Sequence, residues 1–212
     1  MFDFKDKVVY QIYPKSFYDS NNDGVGDIKG ITLKLDYLKD LGVDYIWMNP
    51  IFISPQKDNG YDVEDYKHIN PDFGTMEDLE ELIFEAKKRD IYLMFDMVLN
   101  HTSTKHEWFR KAMAGDEKYK NYYYFKKPNK DGSMPTNWES KFGGPCWEYV
   151  EKFDEYYLHL FDVSMADLNW TNPDVRKEVQ DIVQFWIDKG IKGFRFDVIN
   201  LIDKISFEND YE

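Results

Sequence analysis

The sequence predicts an α/β fold, namely the N-terminal half of a TIM (β/α)8 barrel with a small domain inserted after strand 3. Three observations support this class: strand and helix patterns alternate, the strands are mostly apolar, and polar residues collect where strands end. A whole barrel needs roughly 250 residues before insertions, and this chain has 212. We therefore expect the missing C-terminal half of the barrel to be a partner of this half.

Four segments have the composition of buried strands, with β-branched and aromatic residues followed by Pro or polar residues. The predicted strands are residues 8–13, 45–48, 91–98 and 193–198. Helical periodicity and end signals lie between them. The predicted helices cover about 31–41, begin at the capping box Thr75–Asp78, and run from Asn172 to Gly190.

The alternation breaks between the third and fourth strands, where no clean period is visible. Seventy residues are too many for an ordinary loop. The predicted regions are therefore 1–98 (barrel strands 1–3 with helices 1–2), 99–170 (inserted subdomain) and 171–212 (helix 3, strand 4 and a truncated end). A doubly wound sheet fits the same alternation, but no strand end carries a phosphate-cradling glycine loop.

Composition limits the classes of partner. The formal net charge of −13 repels phosphate backbones, so we expect no nucleic-acid partner. No stretch approaches the roughly 20 apolar residues of a membrane span, and the N-terminus lacks the pattern of a signal peptide, so we expect no membrane partner and a cytoplasmic protein. The single cysteine, Cys146, excludes an internal disulfide.

The fourth strand places a charged pair at its end. Arg195 and Asp197 are two residues apart, so an extended strand points both side chains to the same side. A guanidinium favours the ionised carboxylate, which suits Asp197 to act as a nucleophile. A structural ion pair at a strand end is the alternative interpretation.

Polar groups also follow the second and third strands. Asp96, Asn100 and His101 collect at the end of the third strand, where the imidazole could donate to a sugar hydroxyl or serve the framework. After the second strand, Asp58 and Tyr61 combine a carboxylate with an aromatic face. A pyranose needs such a pair, because its apolar face stacks and its hydroxyls form hydrogen bonds.

The loop after the first strand resembles the beginning of a calcium loop. Oxygen-bearing groups recur at alternate positions, with one backbone carbonyl among them. The predicted ligands are Asp19, Asn21, Asp23, Val25 (through its carbonyl) and Asp27. The twelfth position is Gly30 rather than a bidentate Glu, so an Asx-rich turn without metal is the alternative.

Taken together, six ordered motifs resemble the α-amylase superfamily of glycoside hydrolases, in its oligo-1,6-glucosidase and trehalose-6-phosphate hydrolase branch. The motifs are QIYPKSF, DSNNDGVGD, DNGYDV, DMVLNH, ADLNW and GFRFDVINLI. The resemblance implies that Asp197 is the nucleophile with Arg195 beside it, and that the loop of residues 19–27 holds a structural Ca²⁺ or Mg²⁺. It implies substrate-binding roles for Asp58, Tyr61, His101, Phe142, Phe161 and Val198, with Asp96 and Asn100 as structural support of the site.

The implied activity of the full-length parent is that of a retaining α-glucosidase that hydrolyses trehalose 6-phosphate to glucose and glucose 6-phosphate. Residues 157–170 resemble the trehalose-6-phosphate hydrolases more than the oligo-1,6-glucosidases, and Lys57, Lys105 and Lys141 are candidates for binding the phosphate of the substrate. Only one of the two carboxyl groups of a retaining mechanism is evident, so we expect the 212-residue chain to be inactive alone. The alternatives are an oligo-1,6-glucosidase or α-glucosidase acting on isomalto-oligosaccharides, and a non-catalytic sugar- and Ca-binding fragment. No organic cofactor is expected.

Overall fold

The computed structural model describes residues 4–204 and 206–209; residues 1–3, 205 and 210–212 of the predicted first and third regions lie outside it. The helices are α1 Pro14–Phe17, α2 Ile28–Leu33, α3 Leu35–Asp40, α4 Met76–Lys88, α5 Glu107–Ala114, α6 Glu117–Lys120 and α7 Pro173–Lys189. The strands are β1 Val9–Ile12, β2 Tyr45–Met48, β3 Phe52–Ile53, β4 Asp65–Ile69, β5 Tyr92–Val98, β6 His101–Ser103, β7 Phe125–Lys126, β8 Trp147–Val150, β9 Glu155–Leu158, β10 Met165–Asp167 and β11 Gly193–Asp197. Short 3₁₀ helices cover Glu151–Phe153 and Ile199–Leu201.

The chain forms two compact units. The first unit comprises Met1–Ile53, Tyr66–Met97 and Asp181–Phe196. The second unit comprises Ser54–Asp65, Val98–Gln180 and Asp197–Glu212. The predicted region boundaries after residues 98 and 170 stay predictions.

The first unit is built on a four-stranded sheet in the order β1-β2-β5-β11. Strands β1, β2 and β5 are parallel, and Tyr45 is the register partner of both Val9 and Tyr92. The spatial order follows the chain order, without the reversal that defines a doubly wound sheet. Neighbouring strands of a barrel have this order. Each of the four predicted strands is confirmed to within one residue at either end.

The core of the first unit centres on Trp186 of α7, which is fully buried. Its ring lies 5.5 Å from that of Phe52 and 5.0 Å from that of Phe95, and its indole N–H donates to the Tyr66 carbonyl at 2.8 Å. The polar edge of the indole is therefore satisfied while its surface packs. Truncating a side chain buried in this way costs about 3–5 kcal/mol.

The helix ends show where local sequence signals were sufficient. The Thr75–Asp78 capping box is confirmed by reciprocal side-chain to backbone hydrogen bonds. The single helix predicted at 31–41 is wrong, because helix begins at Ile28 and is interrupted at Lys34. Asp27 explains the early start, since its carboxylate accepts from Gly30 N–H at 2.6 Å as an N-cap.

The second unit contains antiparallel pairings. A three-stranded sheet has the order β7-β9-β8, and β10 pairs with β6. Tyr124, Cys146, Trp147 and Leu158 form a buried cluster that gives this unit a core of its own. Within residues 4–204 and 206–209, no helix is both long and apolar enough to cross a bilayer.

Candidate active site

In the first unit, the end of the sheet carries a buried carboxylate bound to a partly exposed guanidinium. Arg195 Nη1 lies 2.9 and 3.2 Å from the two carboxylate oxygens of Asp96. Trp47 donates its indole N–H to the same carboxylate at 3.1 Å, and the guanidinium carbon lies 5.1 Å from the centre of the Trp47 ring. Asp96 therefore holds Arg195 in place, as a supporting residue would. The sequence motifs did not identify Trp47.

In the second unit, the loop after Ile53 is organised by a buried residue. The Asp62 carboxylate is inaccessible to solvent and accepts from the Ser54 hydroxyl at 2.8 Å and from the backbone N–H groups of Lys57 and Asp58 at 3.0 and 3.2 Å. Tyr61 N–H donates to the Asp58 carbonyl at 3.0 Å. Asp62 thus positions the two predicted substrate-binding residues of this loop, a role that sequence reasoning missed.

His101 begins β6 and is almost completely buried in the second unit. Its Nε2 lies 3.2 Å from the Tyr61 carbonyl, and its Nδ1 lies 3.1 Å from the side-chain nitrogen of Asn100. Burial lowers the pKa of His101, while the charges of Asp167 and Asp197 oppose that shift. The predicted bracing residue Asn100 therefore contacts the predicted substrate-binding histidine directly.

Aromatic side chains cover one side of this histidine. The Phe161 ring lies 5.2 Å from that of His101, and Phe142 meets Phe161 edge-on at 5.7 Å. Phe142 exposes 59% of its surface, so it leaves an apolar face open. No local pattern in the sequence indicates these contacts, because His101 and Phe161 are 60 positions apart and Phe142 and Phe161 are 19 positions apart.

Asp197 lies close enough to Asp58 and His101 for its charge to act on both. The pKa of Asp58 is raised first by burial and then by the charges of Asp62, Asp197 and Asp162. Val198, directly after Asp197, has φ +40° and ψ +35°. A β-branched residue rarely adopts this left-handed conformation, and strain of this kind concentrates at functional sites. The predicted residues Asp58, Tyr61, His101 and Asp197 are thus grouped in one part of the second unit.

The predicted metal loop belongs to the first unit. Asp19 accepts from the N–H groups of Asn21, Asn22 and Gly24 at 2.7–3.1 Å, and the Asn21 amide donates to Asp23 at 2.9 Å. The backbone N–H of Gly24 is the largest cause that lowers the pKa of Asp19. Ionised carboxylate and amide oxygens fit a hard divalent cation.

Two observations bear on the ability of this loop to bind a metal ion. The Asp27 carboxylate already accepts from Ser20 and Gly30, so as a ligand it would share its oxygens with the helix cap. Among the described residues, no group of three or more His, Cys, Asp or Glu side chains is arranged to hold a metal ion. The predicted set includes an amide and a carbonyl, and its occupancy stays a prediction.

The first unit thus has a parallel sheet in chain order, and the second unit groups carboxylates, a histidine and aromatic rings. Residues 11–212 match the model of the α-amylase catalytic domain. The chain belongs to this family.

Named relatives within the family are similar over nearly the whole chain. The trehalose-6-phosphate hydrolase of Bacillus subtilis (strain 168) is 60% identical over 202 residues, and the oligo-1,6-glucosidase of Parageobacillus thermoglucosidasius is 55% identical over 203. Each alignment covers 95% of this chain and 36% of the relative. The chain therefore spans little more than a third of the length of these relatives.

Solved structures give the same result. The trehalose-6-phosphate hydrolase of Bacillus licheniformis superposes with a TM-score of 0.96 at 55% identity, covering 99% of this chain and 38% of that one. The isomaltulose synthase SmuA of Protaminobacter rubrum has a TM-score of 0.96 at 48% identity, covering 100% and 38%. The barrel fold predicted from the sequence is thus that of α-amylase-family neighbours.

Proposed function

We propose that this chain is the nucleophile-bearing part of a retaining α-glucosidase. The observation that carries the proposal is the grouping in the second unit of Asp197, Asp58 and His101 with the aromatic pair Phe142 and Phe161. Carboxylates concentrated beside apolar ring faces suit a glucosyl group that develops positive charge during cleavage.

In the proposed mechanism, the Asp197 carboxylate attacks the anomeric carbon while an acid protonates the departing oxygen. A glucosyl ester of Asp197 forms, and water then hydrolyses it with retention of configuration. Asp58, Tyr61 and His101 hold the ring, and Asp96 keeps Arg195 in place. Because the chain spans 36% of the relatives' length, the proposal assigns the general acid to the remaining part of the full-length enzyme. The 212-residue polypeptide alone should then release no glucose.

Trehalose 6-phosphate is the proposed substrate. The 60% identity to a trehalose-6-phosphate hydrolase supports it, against 55% for an oligo-1,6-glucosidase. Lys57, one of the predicted phosphate-binding candidates, contributes to lowering the pKa of Asp162, after the larger effect of hydrogen bonds from Ser164. The ammonium of Lys57 thus lies close enough to Asp162 for its charge to act on that carboxylate. Cleavage of α-1,6-linked oligosaccharides is the second candidate, because several oligo-1,6-glucosidases share 50% identity or more.

Three finer features complete the proposal. Residues 99–170 form a small domain inserted after the third barrel strand, which the antiparallel sheet β7-β9-β8 supports. The loop of residues 19–27 holds a structural Ca²⁺ or Mg²⁺, which the donor chemistry of Asp19, Asn21 and Asp23 supports. A cytoplasmic location stays a prediction.

A fluorinated glucosyl donor with a good leaving group tests the proposal. It transfers its glucosyl group to the nucleophile quickly, and the resulting ester is hydrolysed slowly. We expect mass spectrometry of the full-length protein to place one glucosyl label on Asp197. Asp197→Asn should lose the label and reduce turnover by about 10⁴-fold or more, whereas the exposed Asp154→Asn should keep both. A label on another residue, or turnover that survives in Asp197→Asn, would contradict the proposed nucleophile.

The substrate is tested by comparing rates on trehalose 6-phosphate and isomaltose. We expect Lys57→Met to raise KM for the phosphorylated substrate and to leave isomaltose cleavage unchanged. Lys152→Met removes an exposed lysine whose ammonium binds the Met113 and Ala114 carbonyls, and it serves as the control. Faster cleavage of isomaltose than of trehalose 6-phosphate would favour the second candidate.

A further inference from the structure

A buried group of four side chains in the second unit links Lys204 to His101. Lys204 lies 3.0 Å from an Asp167 carboxylate oxygen, and the exposed fractions of the two side chains are 3% and 0%. The ammonium also donates to the Asn100 side-chain oxygen at 3.0 Å and to the Leu201 carbonyl at 2.7 Å. Three oxygens therefore match the three N–H groups of the ammonium.

The strand pairing explains why these groups meet. In the antiparallel pair β6–β10, Asp167 is the register partner of His101. The N–H of Leu168 donates to the Asn100 carbonyl at 2.9 Å, and the N–H of Leu160 donates to the Asp167 carboxylate at 2.9 Å. The backbone thus fixes the distance between Asp167 and the Asn100–His101 pair.

The orientation of the Asn100 carboxamide is determined twice. An ammonium donates only, so the atom that faces Lys204 must be the amide oxygen. An ionised carboxylate accepts only, so the atom 3.1 Å from Asp167 must be the amide nitrogen. The second N–H of that nitrogen points to Nδ1 of His101 at 3.1 Å.

This orientation determines where His101 carries its proton. Because Nδ1 accepts a hydrogen bond from Asn100, it has no proton, and a neutral imidazole must then carry its proton on Nε2. Nε2 lies 3.2 Å from the Tyr61 carbonyl, so the proton points to the loop that contains Asp58.

We propose that Lys204 and Asp167 are positioning residues for His101: they orient the Asn100 carboxamide and so hold neutral His101 with its proton on Nε2, as a donor toward the glucosyl site. The part concerning the glucosyl site rests on the proposed function. The part concerning the tautomer does not, because it follows from the four buried side chains alone. The charges of Asp167, Asp197 and Lys204 all act on His101.

Nitrogen-15 NMR of histidine-labelled full-length protein tests the tautomer directly, since protonated and unprotonated ring nitrogens have well-separated shifts. His101→Gln identifies the signals. In the unmodified protein we expect Nδ1 of His101 to be unprotonated and Nε2 to be protonated. A proton on Nδ1 would overturn the proposal without any variant.

Asn100→Asp is the sharpest variant, because it keeps the shape of the side chain and replaces the donor by an acceptor. We expect His101 to gain a proton on Nδ1, and kcat/KM for p-nitrophenyl α-glucoside to fall about tenfold to a hundredfold, as for loss of one oriented hydrogen bond. Lys204→Met should mix the two tautomers. Lys111→Met, which breaks the exposed ion pair with Glu107, should change neither reading.

The outcomes separate the two proposals. An unchanged His101 tautomer in Asn100→Asp and Lys204→Met would overturn the positioning role, even if activity fell. The expected tautomers in a protein that cleaves no α-glucoside would leave the positioning role intact and contradict the proposed function instead.

Discussion

Arg195 and Lys204 each form an ion pair with a buried carboxylate, but the two cationic side chains differ in exposure to solvent. The Arg195 side chain is 36% exposed and binds Asp96 in the first unit, whereas the Lys204 side chain is 3% exposed and binds Asp167 in the second. Water can solvate the guanidinium if its partner is lost, and it cannot reach the ammonium. Although the two ion pairs have similar distances, loss of the carboxylate charge should therefore cost more folding free energy at Lys204 than at Arg195.

The difference also separates two kinds of role. A guanidinium that keeps solvent contact is able to respond to a ligand, while its carboxylate only holds it. The ammonium has all of its donors engaged by protein oxygens, so it acts on other groups through their orientation. The first cluster thus presents a charge, and the second fixes a geometry.

The largest expected effect comes from removing each carboxylate charge. Asp167→Asn leaves the Lys204 ammonium buried without its counter-ion and should cost about 3–5 kcal/mol. Asp96→Asn leaves a guanidinium that water can reach, and should cost about 1.5–3 kcal/mol, the range for hydrogen bonds to charged groups. Amide hydrogen exchange of β10 and β5 in the full-length protein measures both losses locally.

Glu107→Gln is the control for this comparison, because its pair with Lys111 is an exposed helical ion pair. It should cost no more than about 0.5 kcal/mol. Equal losses in Asp167→Asn and Asp96→Asn would contradict the view that exposure of the cation distinguishes the two clusters.

The second unit contains a buried histidine whose pKa is displaced far enough to make local stability depend on pH. Burial lowers the pKa of His106 from 6.5 to about 4, although the charges of Asp65 and Glu107 act in the opposite direction. Its Nδ1 accepts from Trp108 N–H at 3.1 Å, which requires an unprotonated nitrogen. His68, the histidine of the first unit, is exposed.

The sign follows from proton binding. Between pH 6.5 and about 4 the unfolded chain binds a proton at His106 and the folded chain does not, so the contribution is complete above pH 6.5 and is lost as pH falls toward 4. The loss should approach about 3 kcal/mol. We expect the exchange protection of α5 to decrease as the pH falls over this range. His106→Gln should remove most of this pH dependence, and His68→Gln should leave it unchanged. A pH response of α5 that persists in His106→Gln would contradict this assignment.

The residues of the first cluster were predicted, but their pairing was not: the sequence placed Arg195 beside Asp197, and the structure binds its guanidinium to Asp96. Asp96 and Arg195 lie on apolar strands whose ends are marked by polar residues, and the alternation of a strand shows which side each residue takes. Their strands are neighbours because the sheet follows chain order. What no local pattern indicated is that the Trp47 indole joins them, since a tryptophan in a buried strand is ordinarily part of the core.

The second cluster was only half visible from the sequence. Asn100 and His101 stood out because they follow a strand, but Asp167 reaches them through the pairing of β6 with β10, which spans a region without periodicity. Lys204 contacts Asn100 from 104 positions away, in a segment without regular structure. Such contacts depend on tertiary pairing, which spacing along one chain does not specify.

The smallest expected effect concerns Trp47, and it tests whether the first cluster acts through hydrogen bonding or packing. Trp47→Phe keeps a ring beside Arg195 but loses the N–H that donates to Asp96, so it should cost about 1 kcal/mol. In an Asp96→Asn background the same change should cost less, because the charged acceptor is gone. Unfolding measurements of the two single variants and the double variant give this coupling. If the two costs simply add, the indole stabilises the cluster through ring contact alone, and the first cluster is a packed guanidinium rather than a hydrogen-bonded one.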